Sequence, residues 1–266
     1  MVSAAPPADR DAPGVRRERV RQRVVSAGFV RVDELARLLD VSVMTVHRDL
    51  DVLEADGWLT KIRGGATANP SALLEAGIPE RTAALRAEKE AIAAAAARLL
   101  SRGQTVFLDD STTSLGLVPH LLEHAPITVA TNFLPVVAAV GRTTAVELHV
   151  LGGEYHARQD ACFGVQTTEA IGRLQADLVF MSTTALNHGR CLFRAEASVL
   201  VRRAFLAAAT RRVLLVDHAK IGRPSPHVLC GVEDFDLVIT DDGIDPEDLA
   251  ELRARTARVE VAEVRR

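Results

Sequence analysis

A chain of 266 residues with 48% hydrophobic and 25% charged residues has enough apolar material for one large domain or two smaller ones. Aromatic residues make up only 4%, which argues against a platform that stacks single-stranded bases. The three cysteines lie far apart and fit neither a disulfide framework nor a zinc site, so we expect free thiols in a reducing compartment.

Residues 1–14 are typical of a flexible tail. They carry acids and three prolines where a signal peptide has a basic start and an apolar run. The most apolar helical stretch, Ala91–Leu100, is too short to span a bilayer. We therefore expect a cytoplasmic protein with no membrane partner.

Residues 15–66 carry the pattern of three helices followed by a hairpin. The first helix is predicted to stop at Gly28, the second covers Asp33–Leu39, and Ser42 is suited to cap the third. The stretch WLTKIRGG then alternates as a hairpin does. Four apolar residues at helical spacing predict the buried stripe of the third helix: Val43, Val46, Leu50 and Leu53. This order predicts a winged helix-turn-helix.

Side chains outside that stripe are the candidates for contact with DNA. A helix-turn-helix places the amino-terminal half of this helix in the major groove. Arg holds guanine with two hydrogen bonds, Ser and Thr reach base edges or phosphates, and cations on the wing suit the flanking backbone. The predicted DNA-binding residues are Ser42, Met44, Thr45, His47, Arg48, Lys61 and Arg63.

The spacing alone leaves a second interpretation of Arg48 open, a solvated ion pair with Asp49 or Asp51. Residues 15–65 contain ten Arg or Lys and eight Asp or Glu, whereas the whole chain has a net charge of −3, which weakly favours an anionic partner for this segment. His47 has no second ligand at metal spacing, and no metal is predicted. Further phosphate contacts are expected at Arg16, Arg17 and Arg19.

A linker is predicted at residues 67–81, and an α/β domain at residues 82–266. Short β-branched runs alternate there with helices, which calls for a mostly parallel sheet covered on both faces. The predicted strands are residues 105–109, 127–132, 146–153, 176–183, 211–217, 235–240 and 258–263. The predicted helices are residues 87–100, 114–124, 134–140, 167–174, 197–209 and 246–255. The predicted fold class is α/β, with a winged helix-turn-helix joined to a Rossmann-like domain.

The stretch FLDDSTTSLGL at Phe107–Leu117 is the main candidate for a ligand site in this domain. A strand there leads through small hydroxyl residues into a helix, and such a turn favours anions, although helix capping is the alternative. The stretch lacks the glycines of a P-loop or dinucleotide motif, so no cofactor is predicted. Ligands in open α/β sheets lie beyond the carboxyl ends of strands, where Asn132 and Lys220 are also placed.

The segment GFVRVDELARLLDVSVMTVHRDLDVLEADGWLTKIRGGA resembles the DNA-binding head of the DeoR family of bacterial transcription regulators. The segments LDDSTTS, ATN, LGG, FRAEAS, DHAKIG and VITDDG follow in the order of that family's effector domain, so the resemblance spans residues 15–243. His47 stands where the family commonly has Arg, and Asp110 where it has a small residue.

The resemblance implies a fold akin to sugar-phosphate isomerases and an effector that is a phosphorylated sugar or related metabolite. It implies effector contacts at Asp109, Ser111, Thr112, Thr113, Asn132 and Lys220. We therefore predict a sequence-specific regulator of transcription, acting as a repressor, that binds double-stranded DNA as a homodimer or homotetramer.

Two other interpretations remain. The first is an enzyme, a sugar-phosphate isomerase or deaminase with an added head, whose acids and bases would come from His156, His188, Glu154 and Asp160. The sequence places no two of these at one reacting atom, so no catalytic residue is predicted. The second is a head that docks another protein, which the basic hairpin disfavours.

Overall fold

The computed structural model describes residues 12–27, 29–68, 77–256 and 258–265. Most of the predicted tail, the predicted helix stop at Gly28 and the middle of the predicted linker lie outside these ranges. Contacts between Cα atoms divide the chain into two units, Met1–Leu85 and Arg86–Arg266. Within the described residues, every helix is too short or too polar to cross a bilayer.

The first unit, called the head below, is a bundle of helices with a three-stranded sheet. Its elements are α1 (Pro13–Ala27), β1 (Phe29–Arg31), α2 (Val32–Leu39), α3 (Val43–Ala55), β2 (Leu59–Ile62), β3 (Gly65–Ala68) and α4 (Ile78–Ala83). The strands are antiparallel in the order β1-β3-β2. The turn between β2 and β3 uses Gly64 at a φ of 81°, a conformation that favours glycine. The predicted winged helix-turn-helix is confirmed.

Aliphatic side chains from α1, α2, α3 and the sheet form the head core, and Trp58 packs against it. The predicted stripe of α3 is right for Val46, Leu50 and Leu53, which are buried. It is wrong for Val43, whose side chain is 49% exposed. Val43 is the first residue of α3, where no preceding helical turn covers the side chain.

An ion pair joins α1 to α3 at the edge of this core. The Nε and Nη2 atoms of Arg16 donate to the two carboxylate oxygens of Asp49, at 2.6 and 3.2 Å. Asp49 is 4% exposed, and the side chain of Arg16 is 14% exposed. Both charges are thus largely removed from water and need each other. Arg16, expected from the sequence to contact phosphate, instead holds α1 against α3.

The segment predicted as a linker has regular structure at both of its ends. The strand β3 continues through Thr67 and Ala68, where it pairs with β2. The helix α4 begins at Ile78 with Pro79 in its first turn, a position where the missing N–H of proline costs no hydrogen bond. Pro79, within the predicted linker, therefore lies in the first turn of a helix.

The second unit, called the sensor unit below, is built around a seven-stranded sheet. Its helices are α5 (Arg86–Ala97), α6 (Thr112–Leu115), α7 (Val118–Glu123), α8 (Leu134–Val140), α9 (Val165–Gly172), α10 (Glu196–Ala207) and α11 (Pro246–Arg255). The strands of the large sheet are β4 (Thr105–Leu108), β5 (Ile127–Thr131), β6 (Val146–Val150), β9 (Ala176–Ser182), β12 (Ala209–Leu215), β14 (Leu237–Asp241) and β15 (Val259–Ala262).

Two smaller sheets accompany the large one. The strands β7 (Glu154–His156) and β8 (Ala161–Phe163) form an antiparallel hairpin. The strands β10 (Ala185–Asn187), β11 (Arg190–Phe193) and β13 (His227–Gly231) form an antiparallel sheet of three. The sequence analysis missed these five strands because they are short and half polar.

The large sheet is parallel throughout, in the order β15-β14-β12-β9-β4-β5-β6. From β4 the chain adds β5 and β6 on one side, and later places the remaining strands on the other. The direction of winding therefore reverses between β4 and β9. In open α/β sheets the crevice at the carboxyl ends of such strands is the usual ligand site. The fold predicted from the sequence is confirmed.

One predicted helix, residues 114–124, is two helices. The helix α6 ends at Leu115, and α7 begins at Val118 after a break at Gly116. A Cβ atom at Gly116 would lie 3.1 Å from the Cβ of Ala93 in α5, so the chain turns where it packs closely against that helix. The loop after β4 therefore leads into one short helical turn rather than into a long helix.

Replacing Asp49 by Ala should destabilise the head by about 3 kcal/mol, because the largely buried guanidinium of Arg16 loses the two hydrogen bonds to this carboxylate. Trp58 is the single tryptophan and packs against the head core, so its fluorescence reports the unfolding of this unit. The measurement is urea unfolding of the full chain followed at Trp58. Asp56→Ala, at an exposed carboxylate, is the matched control and should change stability by less than about 0.5 kcal/mol. Equal effects of the two substitutions would contradict the role of the ion pair.

Candidate functional site

The amino-terminal end of α3 presents both polar and apolar side chains to solvent. The Oγ of Ser42 accepts a hydrogen bond from the backbone N–H of Thr45 at 3.1 Å, and the two hydroxyl oxygens lie 2.9 Å apart. Ser42 therefore caps the helix, as predicted. Met44 is 63% exposed and stands beside the exposed Val43. The sequence analysis missed Val43 as a surface residue because its apolar side chain fits the helical stripe.

Arg48 is exposed on the same part of α3. The two acids that were its alternative partners are engaged elsewhere, Asp49 by Arg16 and Asp51 by Lys61. Among the residues that the structure describes, no hydrogen bond or ion pair holds the Arg48 side chain. His47 beside it is partly exposed. The solvated ion pair left open by the sequence is therefore absent from the described part of the head.

The hairpin of β2 and β3 is fixed to α3 through Lys61. Its backbone N–H donates to Glu54 Oε1 at 2.7 Å, and its Nζ forms an ion pair with Asp51. Arg63 stands exposed at the tip of the hairpin, next to Gly64. The two wing cations thus differ: Lys61 is tied to the helix, whereas Arg63 projects from the turn.

In the sensor unit, the carboxylate of Asp109 lies at the point where β4 and β9 diverge. Its Oδ1 accepts a hydrogen bond from Ser114 Oγ at 2.6 Å. Its Oδ2 accepts hydrogen bonds from the Ser182 N–H and from Arg202 Nε, both at 3.1 Å. Asp109 is fully buried. Both oxygens are engaged by protein groups, so this carboxylate joins the loop to β9 and α10 rather than standing free.

Asp110 is also buried and is neutralised by the same guanidinium. Arg202 Nη1 lies 3.0 Å from Asp110 Oδ1, and the guanidinium carbon lies 4.3 Å from the ring centre of Phe193. Burial by itself would lower the pKa of Arg202, but the two carboxylates outweigh it and raise that pKa. The additional carboxylate of this loop is therefore an ion-pair partner of α10.

The sequence-predicted residues of the loop meet Lys220, which lies on a short 3₁₀ helix, His218–Lys220. Lys220 Nζ donates to Thr113 Oγ1 at 3.3 Å and to Ser182 Oγ at 2.9 Å, and lies 3.1 Å from Asp217. Ser111 Oγ caps α6 by accepting the Ser114 N–H at 3.0 Å. Thr112 is buried beside them. The carboxyl ends of β4, β9 and β12 thus converge on one ammonium group.

Asn132 follows β5, the neighbour of β4. Its Nδ2 donates to the carbonyl oxygen of Cys162 at 2.8 Å. Its Oδ1 is buried and has no hydrogen-bond partner among the described residues. A buried amide oxygen without a donor is costly, so this oxygen can still accept one hydrogen bond.

The sequence analysis missed a pair formed by His218 and Asp241 near Lys220. His218 Nδ1 lies 2.6 Å from Asp241 Oδ2, and the backbone N–H groups of His218 and Gly243 donate to the same carboxylate at 2.8 and 3.0 Å. A Cβ at Gly243 would lie 2.6 Å from His218 Nδ1, so the glycine makes room for the imidazole ring. The segments DHAKIG and VITDDG contained both residues, but nothing in their spacing paired them.

The pair shifts the pKa of both partners. The hydrogen bond with Asp241 outweighs burial and raises the pKa of His218. Burial alone would raise the pKa of Asp241, but its hydrogen bonds to His218 and Gly243 outweigh that effect and lower it. A charged pair is therefore favoured over a neutral one.

Two family models match the chain. A DeoR-like helix-turn-helix domain matches residues 16–72, and a DeoR C-terminal sensor domain matches residues 85–242. The chain belongs to the DeoR family. It is a DNA-binding transcriptional regulator with a sensor domain, and not an enzyme.

Curated relatives of this DeoR protein match it over most of their length. A putative aga operon transcriptional repressor of Escherichia coli O157:H7 is 30% identical over 90% of each chain. A lactose phosphotransferase system repressor of Staphylococcus epidermidis is 31% identical over 85% of this chain and 91% of its own. A ribose 5-phosphate isomerase A of Methanocaldococcus jannaschii shares 14% identity over 50% of this chain and 53% of its own, with a TM-score of 0.37. A likeness at that level carries no functional argument.

The residues proposed for an enzyme lie in two separate hairpins. Glu154, His156 and Asp160 belong to the β7–β8 hairpin, where Asp160 accepts a hydrogen bond from the Tyr155 hydroxyl at 2.9 Å. His188 is in the turn between β10 and β11, 3.9 Å from Glu251. Within the first hairpin, His156 Nε2 lies 3.5 Å from Glu154 Oε1, and His188 belongs to the other hairpin.

His218→Asn should lower the stability of the sensor unit most at pH 5.5 and least at pH 9. The raised pKa of His218 stabilises the fold below the usual imidazole pKa of about 6.5, and this contribution is lost as pH rises through the raised value. The lowered pKa of Asp241 stabilises above the usual carboxyl pKa of about 3.9, so both contributions are present at pH 5.5.

The measurement is urea unfolding followed by circular dichroism, with Trp58 fluorescence assigning the transition of the head. His227→Asn, at a histidine of β13, is the control substitution. A stability difference between His218→Asn and the unmutated chain that is equal at the two pH values would contradict the ion pair.

Proposed function

We propose that this DeoR regulator acts as a repressor whose sensor unit binds a phosphorylated sugar or a related metabolite. The observation that carries the proposal is the meeting of Lys220, Thr113 and Ser182 at the reversal of the parallel sheet. Two of its relatives bear the names of repressors, one of an aga operon and one of a lactose phosphotransferase system. We propose a cytoplasmic homodimer or homotetramer, because one small head rarely supplies enough specificity alone.

The proposed DNA contacts follow from which side chains of α3 remain available. Arg48 lacks a partner in the described head and suits the O6 and N7 acceptors of guanine. Met44 and Val43 expose apolar surface that suits a thymine methyl group. Proposed contacts to phosphates and base edges complete the set: Ser42, Thr45, His47, Lys61 and Arg63.

Arg48→Ala should cost about 1–3 kcal/mol of affinity for a specific duplex, because it removes a two-hydrogen-bond contact to one base. The duplex is one selected from a random library by the unmutated chain, and binding is measured by fluorescence anisotropy in competition with unselected DNA.

The matched comparison is Arg63→Ala on the wing. If Arg63 contacts phosphate, its loss weakens binding to selected and unselected DNA alike and reduces the slope of affinity against salt by about one. Arg48→Ala should instead reduce the difference in affinity between selected and unselected DNA. If the variant keeps the same difference in affinity between the two DNAs, Arg48 does not make a specific contact to a base.

The proposed effector site combines a cation with hydroxyl groups and with an amide oxygen that accepts hydrogen bonds. The ammonium of Lys220 is the proposed contact for a phosphate, which would replace one of its present contacts to Thr113, Ser182 or Asp217. The unpartnered Oδ1 of Asn132 accepts hydrogen bonds and suits a sugar hydroxyl. Ser111 and Thr112 add hydroxyl groups to the same loop.

The carboxylates of the loop have a different proposed role. Asp109 and Asp110 are both paired with Arg202, so their charge is partly balanced before any anion enters. We propose that Asp109 positions Ser114 and the loop, and does not itself touch the effector. Among the predicted effector residues it is therefore assigned to the support of the site.

Effector binding would act on DNA through a change between two states of the oligomer. Such coupling between sites is typically about 1–3 kcal/mol, which changes DNA affinity about 5- to 150-fold. The effector must bind one of the two states more tightly, since equal affinity shifts nothing. A bound phosphate would change the distance between Lys220, on its 3₁₀ helix, and the loop after β4.

Lys220→Gln should abolish the thermal shift that sugar phosphates produce and leave DNA affinity unchanged, because the substitution removes the cation and keeps a hydrogen-bonding side chain. The measurement is a thermal-shift screen with phosphorylated pentoses and hexoses, followed by anisotropy with the selected duplex. Arg102→Gln is the control, since Arg102 is exposed before β4 at the opposite end of that strand. A Lys220→Gln chain that still responds to the same sugar phosphate would exclude this crevice as the effector site.

A further inference from the structure

Two of the three cysteines meet in the small antiparallel sheet of the sensor unit. Cys191 in β11 and Cys230 in β13 are directly opposite each other in the ladder. Directly opposed residues share one face of a sheet, with Cα atoms about 4.5 or 5.5 Å apart. Both separations lie within the range of about 4.4–6.8 Å that a disulfide spans. The sequence separation of the two cysteines concealed this proximity.

The two thiols differ in access to solvent. Cys191 is buried, whereas Cys230 is partly exposed, and both are free thiols in this structure. Contact with the Cys230 thiol, together with burial, raises the pKa of Cys191. The ladder shifts register immediately after Cys191, which is typical of a β-bulge that increases local twist. The pair therefore has one accessible thiol and one buried thiol in contact with it.

This sheet is connected to the proposed effector crevice at both cysteines. Thr183 follows Ser182, and its hydroxyl oxygen accepts the N–H of Leu192, the neighbour of Cys191, at 3.2 Å. On the other side, the chain runs from Lys220 through Gly222, whose N–H donates to the Leu186 carbonyl at 2.8 Å, and on to β13. A bond between the cysteines would thus join the segment after Ser182 to the segment after Lys220.

We propose that Cys191 and Cys230 form an intramolecular disulfide by exchange with a low-molecular-weight disulfide. The accessible Cys230 thiolate attacks oxidised glutathione, and one glutathione thiolate leaves. The Cys191 thiolate then attacks the Cys230 sulfur of the mixed disulfide, and the second glutathione leaves. The two protein thiols lose two protons and two electrons, and the glutathione disulfide becomes two thiols. The product fixes β13 to β11 beside the crevice.

The experiment treats the full chain with oxidised glutathione at pH 8.5, because a higher pH increases the thiolate fraction of the buried Cys191. Thiols are then counted under denaturing conditions, and the bridge is located by peptide mapping without reductant. The chain has three thiols before treatment. We expect the thiols of Cys191 and Cys230 to be lost together, with their two peptides linked in a monomer-sized chain. The thermal midpoint of the sensor unit should rise by about 5 °C and return on reduction.

Two variants separate this proposal from general oxidation. Cys162→Ser should keep the bridge and lose both of its remaining thiols, whereas Cys230→Ser should form no bridge and keep the Cys191 thiol in reduced form. Cys230 is partly exposed, so its replacement by Ser is compatible with the fold. A bridge that includes Cys162, a glutathione adduct that stays on Cys230, or three thiols that survive treatment would each overturn the proposal.

Discussion

The hydrogen bonds of the buried Asp109 carboxylate are the interactions on which the arrangement of the candidate effector site depends. The carboxylate stands where the winding of the parallel sheet reverses, and it ties the loop after β4 to β9 and to α10 through Ser114, Ser182 and Arg202. Because Ser182 also contacts Lys220, the same carboxylate indirectly sets the position of the ammonium group. One buried carboxylate with two oxygens thereby holds the loop after β4, the end of β9 and α10 together.

Neighbouring acids also decide which cations remain available for a ligand. In the head, Asp49 engages Arg16 and Asp51 engages Lys61, so Arg48 keeps an exposed guanidinium on the described surface of α3. In the sensor unit, Asp109 and Asp110 engage Arg202 of α10. A basic residue near a site is therefore not by itself a ligand contact. Its acidic neighbours have to be assigned first.

The sequence predicted most of the fold and part of the site. Helical spacing identified Val46, Leu50 and Leu53, because these positions face one core, but it could not show that Val43 begins the helix without cover. The alternation of strands and helices predicted the parallel sheet, because short β-branched runs between helices are typical of strands that are buried on both faces. The short strands of the two small sheets lack such a signal.

Contacts between residues distant in sequence could not be predicted. The pairs Arg16–Asp49, Asp110–Arg202 and His218–Asp241 depend on how elements pack, and no local pattern marks them. The pairing of Cys191 with Cys230 depends on the register of two strands, which spacing does not reveal. Lys220 became a candidate because it follows the carboxyl end of a strand, where ligands usually bind in open α/β sheets.

The central claim is that a sugar phosphate bound in the sensor unit changes the affinity of the head for DNA. The most direct measurement is the reciprocal one, the affinity of the full chain for the sugar phosphate with and without saturating selected duplex. Linkage requires that the DNA change this affinity by the same factor by which the sugar phosphate changes DNA binding, about 5- to 150-fold. An affinity for the sugar phosphate that is the same with and without DNA would contradict the account.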